Sequence, residues 1–246
     1  MTQNIYDDEA FFDAYAQLPR SRHGLDAAPE WPTLRAMLPP LAGRRVLDLG
    51  CGYGWFARFA QAEGAASVLG LDVSRRMLAR AREASEGLDI TYEQADLEHA
   101  TLAPASFDLA YSSLAFHYLV HLGPLLARVH PALAAGGSLV FSVEHPMVTA
   151  PRTPGWIAHP GGHQTWPVDA YLDEGPRETS WLRDGVIKQH RTVATYLRLL
   201  TQAGFTLARL EEWAPSEAQL VVHPEWSPGE RERPAFLLIA CTRDRE

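Results

Sequence analysis

The chain has 246 residues, 46% of them hydrophobic and 21% charged, with a formal net charge of −8. That balance describes a folded domain with a sizeable core and argues against a nucleic-acid partner, which wants a basic surface. No stretch approaches about 18 apolar residues, so no membrane span or membrane partner is expected. The acidic start MTQNIYDDEAFFDAY also lacks the layout of a secretory signal. Cys51 and Cys241 are far apart and fit neither a zinc spacing nor a disulfide framework, which points to a reducing, cytoplasmic setting. Of the 22 basic residues only Lys188 is a lysine, and no function follows from that alone.

Taken in chain order, the first forty residues read as helical, with Leu34 and Leu38 on one face after Pro32. From there apolar runs alternate with helical patterns. Val46–Leu49 is a short strand and Trp55–Glu63 a helix. Val68–Leu71 is the second strand, followed by a helix from Ser74, a natural N-cap, to Ser85. Ile90–Glu93 and Phe107–Tyr111 are the next strands, with Leu125–Leu133 helical behind them. Gly136-Gly137 reads as a turn into Ser138–Val143, a fifth strand. Residues from Glu144 to Gln189 break this rhythm with prolines, glycines and the tryptophans Trp156, Trp166 and Trp181. A plain loop of that length is unusual in a compact domain, so it reads as a packed lid. Val193–Gln202 is then a helix capped by Thr192, and Leu207–Trp213 and Ala235–Cys241 are two last strands that can pair antiparallel, split by a polar, proline-containing insertion. Strands separated by helices of this length call for an α/β fold, a mostly parallel sheet with helices on both faces. The organisation expected is an N-terminal helical lid (1–40), a cofactor-binding core (41–145), an inserted acceptor lid (146–190) and a C-terminal completion of the core (191–246).

The stretch VLDLGCGYGW carries the chemistry. A strand ending at Asp48 and followed by Gly50, Gly52 and Gly54 brings bare backbone N–H groups to a ligand at a helix N-terminus. The spacing G-x-G-x-G departs from the dinucleotide pattern, and there is no Walker lysine. A tight structural turn is the plain alternative. Asp72 closes the second strand 22 residues after Gly50, where a carboxylate can accept both ribose hydroxyls; a helix cap is its plain alternative. Asp96 and Leu97 follow the third strand at the same edge and suit an adenine ring.

These residues resemble a family. VLDLGCGYGW, LGLDVS, ADLE, FDLAYSSLAFHYL and LAAGGSLVFSVEHP, in that order, look like the successive motifs of class I S-adenosylmethionine-dependent methyltransferases, most of all the small-molecule, ubiquinone-biosynthesis-like branch. The resemblance implies a seven-stranded Rossmann-like sheet of order 3-2-1-4-5-7-6, with the seventh strand antiparallel, and S-adenosyl-L-methionine as cofactor. It implies that Gly50, Cys51, Gly52 and the adjoining backbone embrace the methionine part, that Asp72 and Val73 lie at the ribose and Asp96 and Leu97 at adenine, and that Ser112 stands beside the sulfonium. Tyr15 and Arg20 are candidates to reach over the cofactor from the N-terminal lid, with ordinary helix packing as the alternative.

Methyl transfer from a sulfonium needs mainly alignment, and an alcohol, phenol or protonated amine also gains from a general base. Candidate bases lie beyond the carboxyl ends of the strands: His117 and Tyr118 after the fourth, Glu144 and His145 at the end of the fifth, and His190 before the next helix. His145 is the favoured one. His159 and His163 lack a matching carboxylate and are assigned no metal. Phe116, His117, Trp156, Trp166, Tyr171 and Trp181 are candidates for an apolar acceptor pocket, with Arg191 beside them; buried core aromatics give the same list. The reading is a methyltransferase acting on a small-molecule O, N, S or C acceptor, with a homodimer left open. A nucleic-acid or protein methyltransferase and a non-catalytic cofactor-binding protein are the alternatives. YSSL stands where base methylases carry an asparagine-proline-proline-tyrosine type motif, which counts against the first of these.

Overall fold

The computed structural model describes residues 3–223 and 231–244. Part of the insertion expected between the last two strands, residues 224–230, lies outside the described residues.

The core is one seven-stranded sheet. Its strands are β1 (Arg45–Leu49), β2 (Ser67–Asp72), β3 (Ile90–Gln94), β4 (Phe107–Ser113) and β5 (Leu133–Glu144), with two more, β10 (Thr206–Trp213) and β11 (Phe236–Thr242), from the C-terminal part. The order across the sheet is β10-β11-β5-β4-β1-β2-β3. β1 to β5 pair in parallel, whereas β11 runs antiparallel to both β5 and β10. This is the strand order that the sequence implies, including the antiparallel insertion. Side chains alternate across the sheet as pleating requires: Leu47, Phe141 and Ile239 face one apolar cluster, and Val46, Val140 and Leu238 face the other.

Helices cover both faces. In chain order they include α1 (Glu9–Ala16), α2 (Pro19–His23), α3 (Trp31–Arg35), α4 (Trp55–Ala62), α5 (Arg75–Ala84) and α6 (Leu122–Ala132). The short α7 (Pro146–Thr149), then α8 (Val193–Gln202) and α9 (Glu217–Val222), follow. Ser74 caps α5 by accepting the Met77 N–H, and Thr192 caps α8 by accepting from Thr195; each satisfies a donor the helix itself leaves free. Among the described residues no helix is long and apolar enough to cross a membrane.

Two local expectations change. Gly136-Gly137 is not the turn before β5 but lies inside it: the strand begins at Leu133, and a register shift between Phe107 and Leu109 marks a bulge. Gly136 takes φ +76, which glycine adopts without strain. The long segment after β5 also has strands of its own. The two-residue β6 (Ile157–Ala158) and β7 (Gln164–Thr165) pair, and β8 (Gly175–Thr179) forms an antiparallel hairpin with β9 (Val186–His190).

Candidate active site

The carboxyl ends of β1, β2, β4 and β5 open into one cavity, the position at which open α/β sheets bind ligands. Its floor is the glycine loop. Gly50, with φ +77, sits so close to the turn after β4 that an added Cβ would meet Ala115 Cβ at 2.5 Å. Gly54, with φ +70, presses against the Tyr92 hydroxyl and begins α4. A Cβ on Gly52 would meet no protein atom within 4 Å, so its bare backbone borders open cavity. The loop is therefore packed from behind and free in front.

Asp72 braces this loop. Its Oδ2 accepts the Gly52 N–H and its Oδ1 accepts the Ser74 N–H, both at 2.9 Å. Burial pushes its carboxyl up, with Asp7 adding to the effect, against the backbone donors that favour the ion. Asp48 lies beside it, buried, with Oδ2 lacking a hydrogen-bond partner. Burial and the Asp72 charge push Asp48 up to about 8, so Asp48 is mostly protonated at neutral pH. Asp96 and Leu97 complete this end. Asp96 accepts the Glu98 N–H and meets His99, and the Leu97 carbonyl is held by Arg128.

The roof comes from the N-terminal segment and the β8–β9 hairpin. Asp7 accepts from the Ser74 hydroxyl at 2.6 Å and from the Arg76 N–H at 3.1 Å, pinning the segment to the start of α5. Gln3 exchanges hydrogen bonds with Gly185 and Ile187 in and beside the hairpin, and Asp8 pairs with Arg183. Between these ties stand Tyr6, Tyr15 and Trp181, edge to face around the cavity. Arg20 enters from α2. Its guanidinium pairs with the fully buried Glu30 at 2.6 Å and lies 3.4 Å from the Ser113 hydroxyl.

The far end is set by the turn after β4. Glu98 accepts the Val120 and His121 N–H groups from one side, while Arg191 donates to the Leu119 and Val120 carbonyls from the other. Held this way, His117 and Tyr118 line the cavity. His117 Nδ1 accepts the Glu144 N–H at 3.3 Å, so the neutral ring carries its proton on Nε2. Burial, with Lys188 and Arg191 adding to it, pushes His117 down to about 4 against the pull of Glu144. Glu144 lines the same end and accepts from Lys188 Nζ at 2.6 Å. Burial raises its carboxyl, but the charge of Lys188 and its hydrogen bond outweigh it and hold the group below the ordinary value.

Of the residues singled out from sequence, Tyr15, Arg20, Gly50, Cys51, Gly52, Asp72, Val73, Asp96, Leu97, His117 and Trp181 border this cavity. The others lie elsewhere. Ser112 points into the sheet and donates to the Leu49 carbonyl, and its neighbour Ser113 lines the cavity instead. Phe116 is buried against Phe141. His145, favoured as the base, is spent on structure: Nδ1 caps α7 through the Met147 N–H and Nε2 meets Glu212 at 2.9 Å. His190 bridges Thr149 and the Tyr171 carbonyl, and the Tyr171 ring meets it edge to face. Trp156 and Trp166 pack on one another beneath the Arg233 guanidinium, and Arg191 is bound to backbone. Tyr6 and Asp48 enter the wall without having been chosen as site residues, and Tyr118 and Glu144, both among the candidate bases, line it too. Asp48 and Glu144 carried a sequence signal, a polar residue at the carboxyl end of a strand.

Comparison with known proteins agrees with this architecture. A methyltransferase-domain family model matches residues 46–137. An S-adenosylmethionine-dependent methyltransferase of known structure from Mesorhizobium loti is 54% identical, with TM-score 0.86 over 89% of this chain and 100% of that one. An uncharacterized Haemophilus influenzae protein is 32% identical over 98% of this chain and 97% of its own length. A trans-aconitate 2-methyltransferase from Deinococcus radiodurans is 40% identical over 45% of this chain and 42% of its own. The chain belongs to the S-adenosylmethionine-dependent methyltransferase family. It is an enzyme that binds S-adenosylmethionine, and the glycine cradle, the Asp72 carboxylate and the unpartnered Asp48 oxygen are chemically suited to that cofactor.

Proposed function

We propose that this enzyme methylates a small-molecule acceptor inside the roofed cavity. The observation that carries the reading is the closure of the site: Gln3, Asp7 and Asp8 tie the N-terminal segment to α5 and to the hairpin above the glycine loop. A roof of this kind suits a ligand that is enclosed, not a polymer that lies along a track. The net charge of −8 supports the same conclusion. The buried free thiols of Cys51 and Cys241 support a reducing, cytoplasmic setting.

When bound, S-adenosylmethionine supplies a methyl group already activated by its sulfonium. The protein's work is then binding, alignment and exclusion of water. In this reading the Gly50–Gly52 backbone and Arg20 hold the methionine part, Asp72 and Val73 hold the ribose, and Asp96 and Leu97 flank adenine. Tyr15 and Trp181 close over the reacting centre, and His117 presents its Nε2–H to the acceptor end. The test is a labelled methyl donor incubated with the enzyme and a cell extract divided by ultrafiltration. Label in the low-mass fraction supports the reading; label confined to protein or nucleic acid overturns it.

A further inference from the structure

The acceptor end contains several polar groups, and their hydrogen bonds leave one of them free to take a proton. Tyr6 and Tyr118 bond to each other through their hydroxyls at 3.3 Å, and burial pushes both phenols upward, so they stay protonated. His117 spends Nδ1 on the Glu144 N–H and offers a donor in its place. His145 and His190 lie away from the cavity. Glu144 remains. Its Oε1 takes the Lys188 ammonium, and Oε2 has no hydrogen-bond partner among the described residues.

Lys188 explains how that oxygen stays free. In a chain whose other basic residues are all arginine, this buried position alone keeps lysine. A guanidinium fork grips both oxygens of a carboxylate, whereas an ammonium is a point charge that can hold one. Lys188 sits with Nζ 5.2 Å over the Trp181 ring and bonded to Glu144, which leaves the second oxygen with the cavity. Among the described lining residues the arginine or lysine is Arg20, and it is already paired with Glu30.

We infer that the acceptor is a protic nucleophile, an O–H or N–H group on an apolar frame, whose proton is received by Glu144, and that it is not a carboxylate. This rests on the methyltransferase reading and narrows it. A carboxylate acceptor would meet the Glu144 charge with no unpaired arginine or lysine among the described lining residues. A hydroxyl or amine instead supplies the donor that the free Oε2 lacks, a charge-assisted hydrogen bond that a second anion cannot make. In the transfer the acceptor's lone pair forms the new bond to the methyl carbon as the carbon–sulfur bond breaks. The electron pair stays on sulfur, and the acceptor's proton passes to Glu144 and then to solvent. Glu144 is the catalytic residue here, and Lys188 is a positioning residue that acts through it.

The experiment is ligand-observed NMR on the full chain saturated with S-adenosylhomocysteine, using phenol, benzylamine and benzoate as matched probes. Saturation transfer is expected to phenol or benzylamine, whichever names the acceptor atom, and not to benzoate. Glu144→Gln and Lys188→Arg are each expected to weaken the preferred probe by about tenfold or more, the loss of one charge-assisted hydrogen bond. Both variants should bind S-adenosylhomocysteine within about twofold of the parent, which shows that they fold. The Lys188→Arg result is the discriminating one, because a merely structural ion pair would survive it. Preference for benzoate, no transfer to any probe, or probe binding indifferent to both variants overturns the inference. Failure of S-adenosylhomocysteine itself to bind the parent chain would instead overturn the methyltransferase reading on which it rests.

Discussion

Replacing Asp72 with asparagine probes the cofactor end most sharply, because the structure assigns that carboxylate two tasks. It accepts the Gly52 and Ser74 N–H groups at 2.9 Å each, and it borders the cavity where a ribose is proposed to lie. A carboxamide keeps the shape but has one accepting oxygen, so one backbone donor must face an amide NH2. Losing one charge-assisted hydrogen bond costs about 1.5–3 kcal/mol of stability. The ribose hydroxyls lose a charged acceptor of similar strength, so affinity for S-adenosylhomocysteine should fall about ten- to hundredfold. Loop distortion alone could also lower affinity, so the assay is a calorimetric cycle that pairs Asp72→Asn with a 2′-deoxyribose analogue of the ligand. If the carboxylate holds the ribose, the two losses overlap and the variant hardly distinguishes the two ligands. Fully additive losses would refute the ribose contact.

Other perturbations follow from the same geometry. Arg20→Met leaves the buried Glu30 without its cation and should lower stability by about 3 kcal/mol, with Glu30→Gln restoring part of the loss; urea unfolding of both variants measures it. Asp7→Ala removes the tie between the N-terminal segment and α5, so it should lower stability by about 1 kcal/mol and speed ligand release, read by stopped-flow tryptophan fluorescence. Asp48 has a folded-state value raised to about 8, so the native state holds a proton that the unfolded chain releases near pH 4. The stability this proton supports is complete below that pH and is lost as pH rises through 8. Asp48→Asn should therefore flatten the decline in melting temperature between pH 6 and 9, and an unchanged slope would contradict the assignment.

The sheet was readable because its signals are local. Apolar runs at Val46, Val68 and Phe107, the Ser74 and Thr192 caps, and glycine spacing each act within a few residues of themselves. That Gly50, Asp72 and Asp96 would gather at one cavity was readable for the same reason, since they stand at strand ends and in tight turns. The acceptor end was not. Trp156, Tyr171 and His190 have the composition of a pocket wall, yet they pack on partners within the lid or on Arg233 and Thr149. Nothing within a few residues of them says which way they face. His145 and Glu144 are adjacent at the end of β5, and alternation alone sends one to the outer edge at Glu212 and the other to Lys188. Pairing of β9 with β8 brings Lys188 to that place, a contact 44 residues away in sequence.

Whether the cavity above the glycine loop binds S-adenosylmethionine is measured by titration calorimetry of the full chain with S-adenosylmethionine, S-adenosylhomocysteine and NAD. Saturable, one-to-one binding of the first two is expected, abolished or strongly weakened by Asp72→Asn, and none of NAD. Heat from NAD alone, or from none of the three with a folded protein, would contradict it.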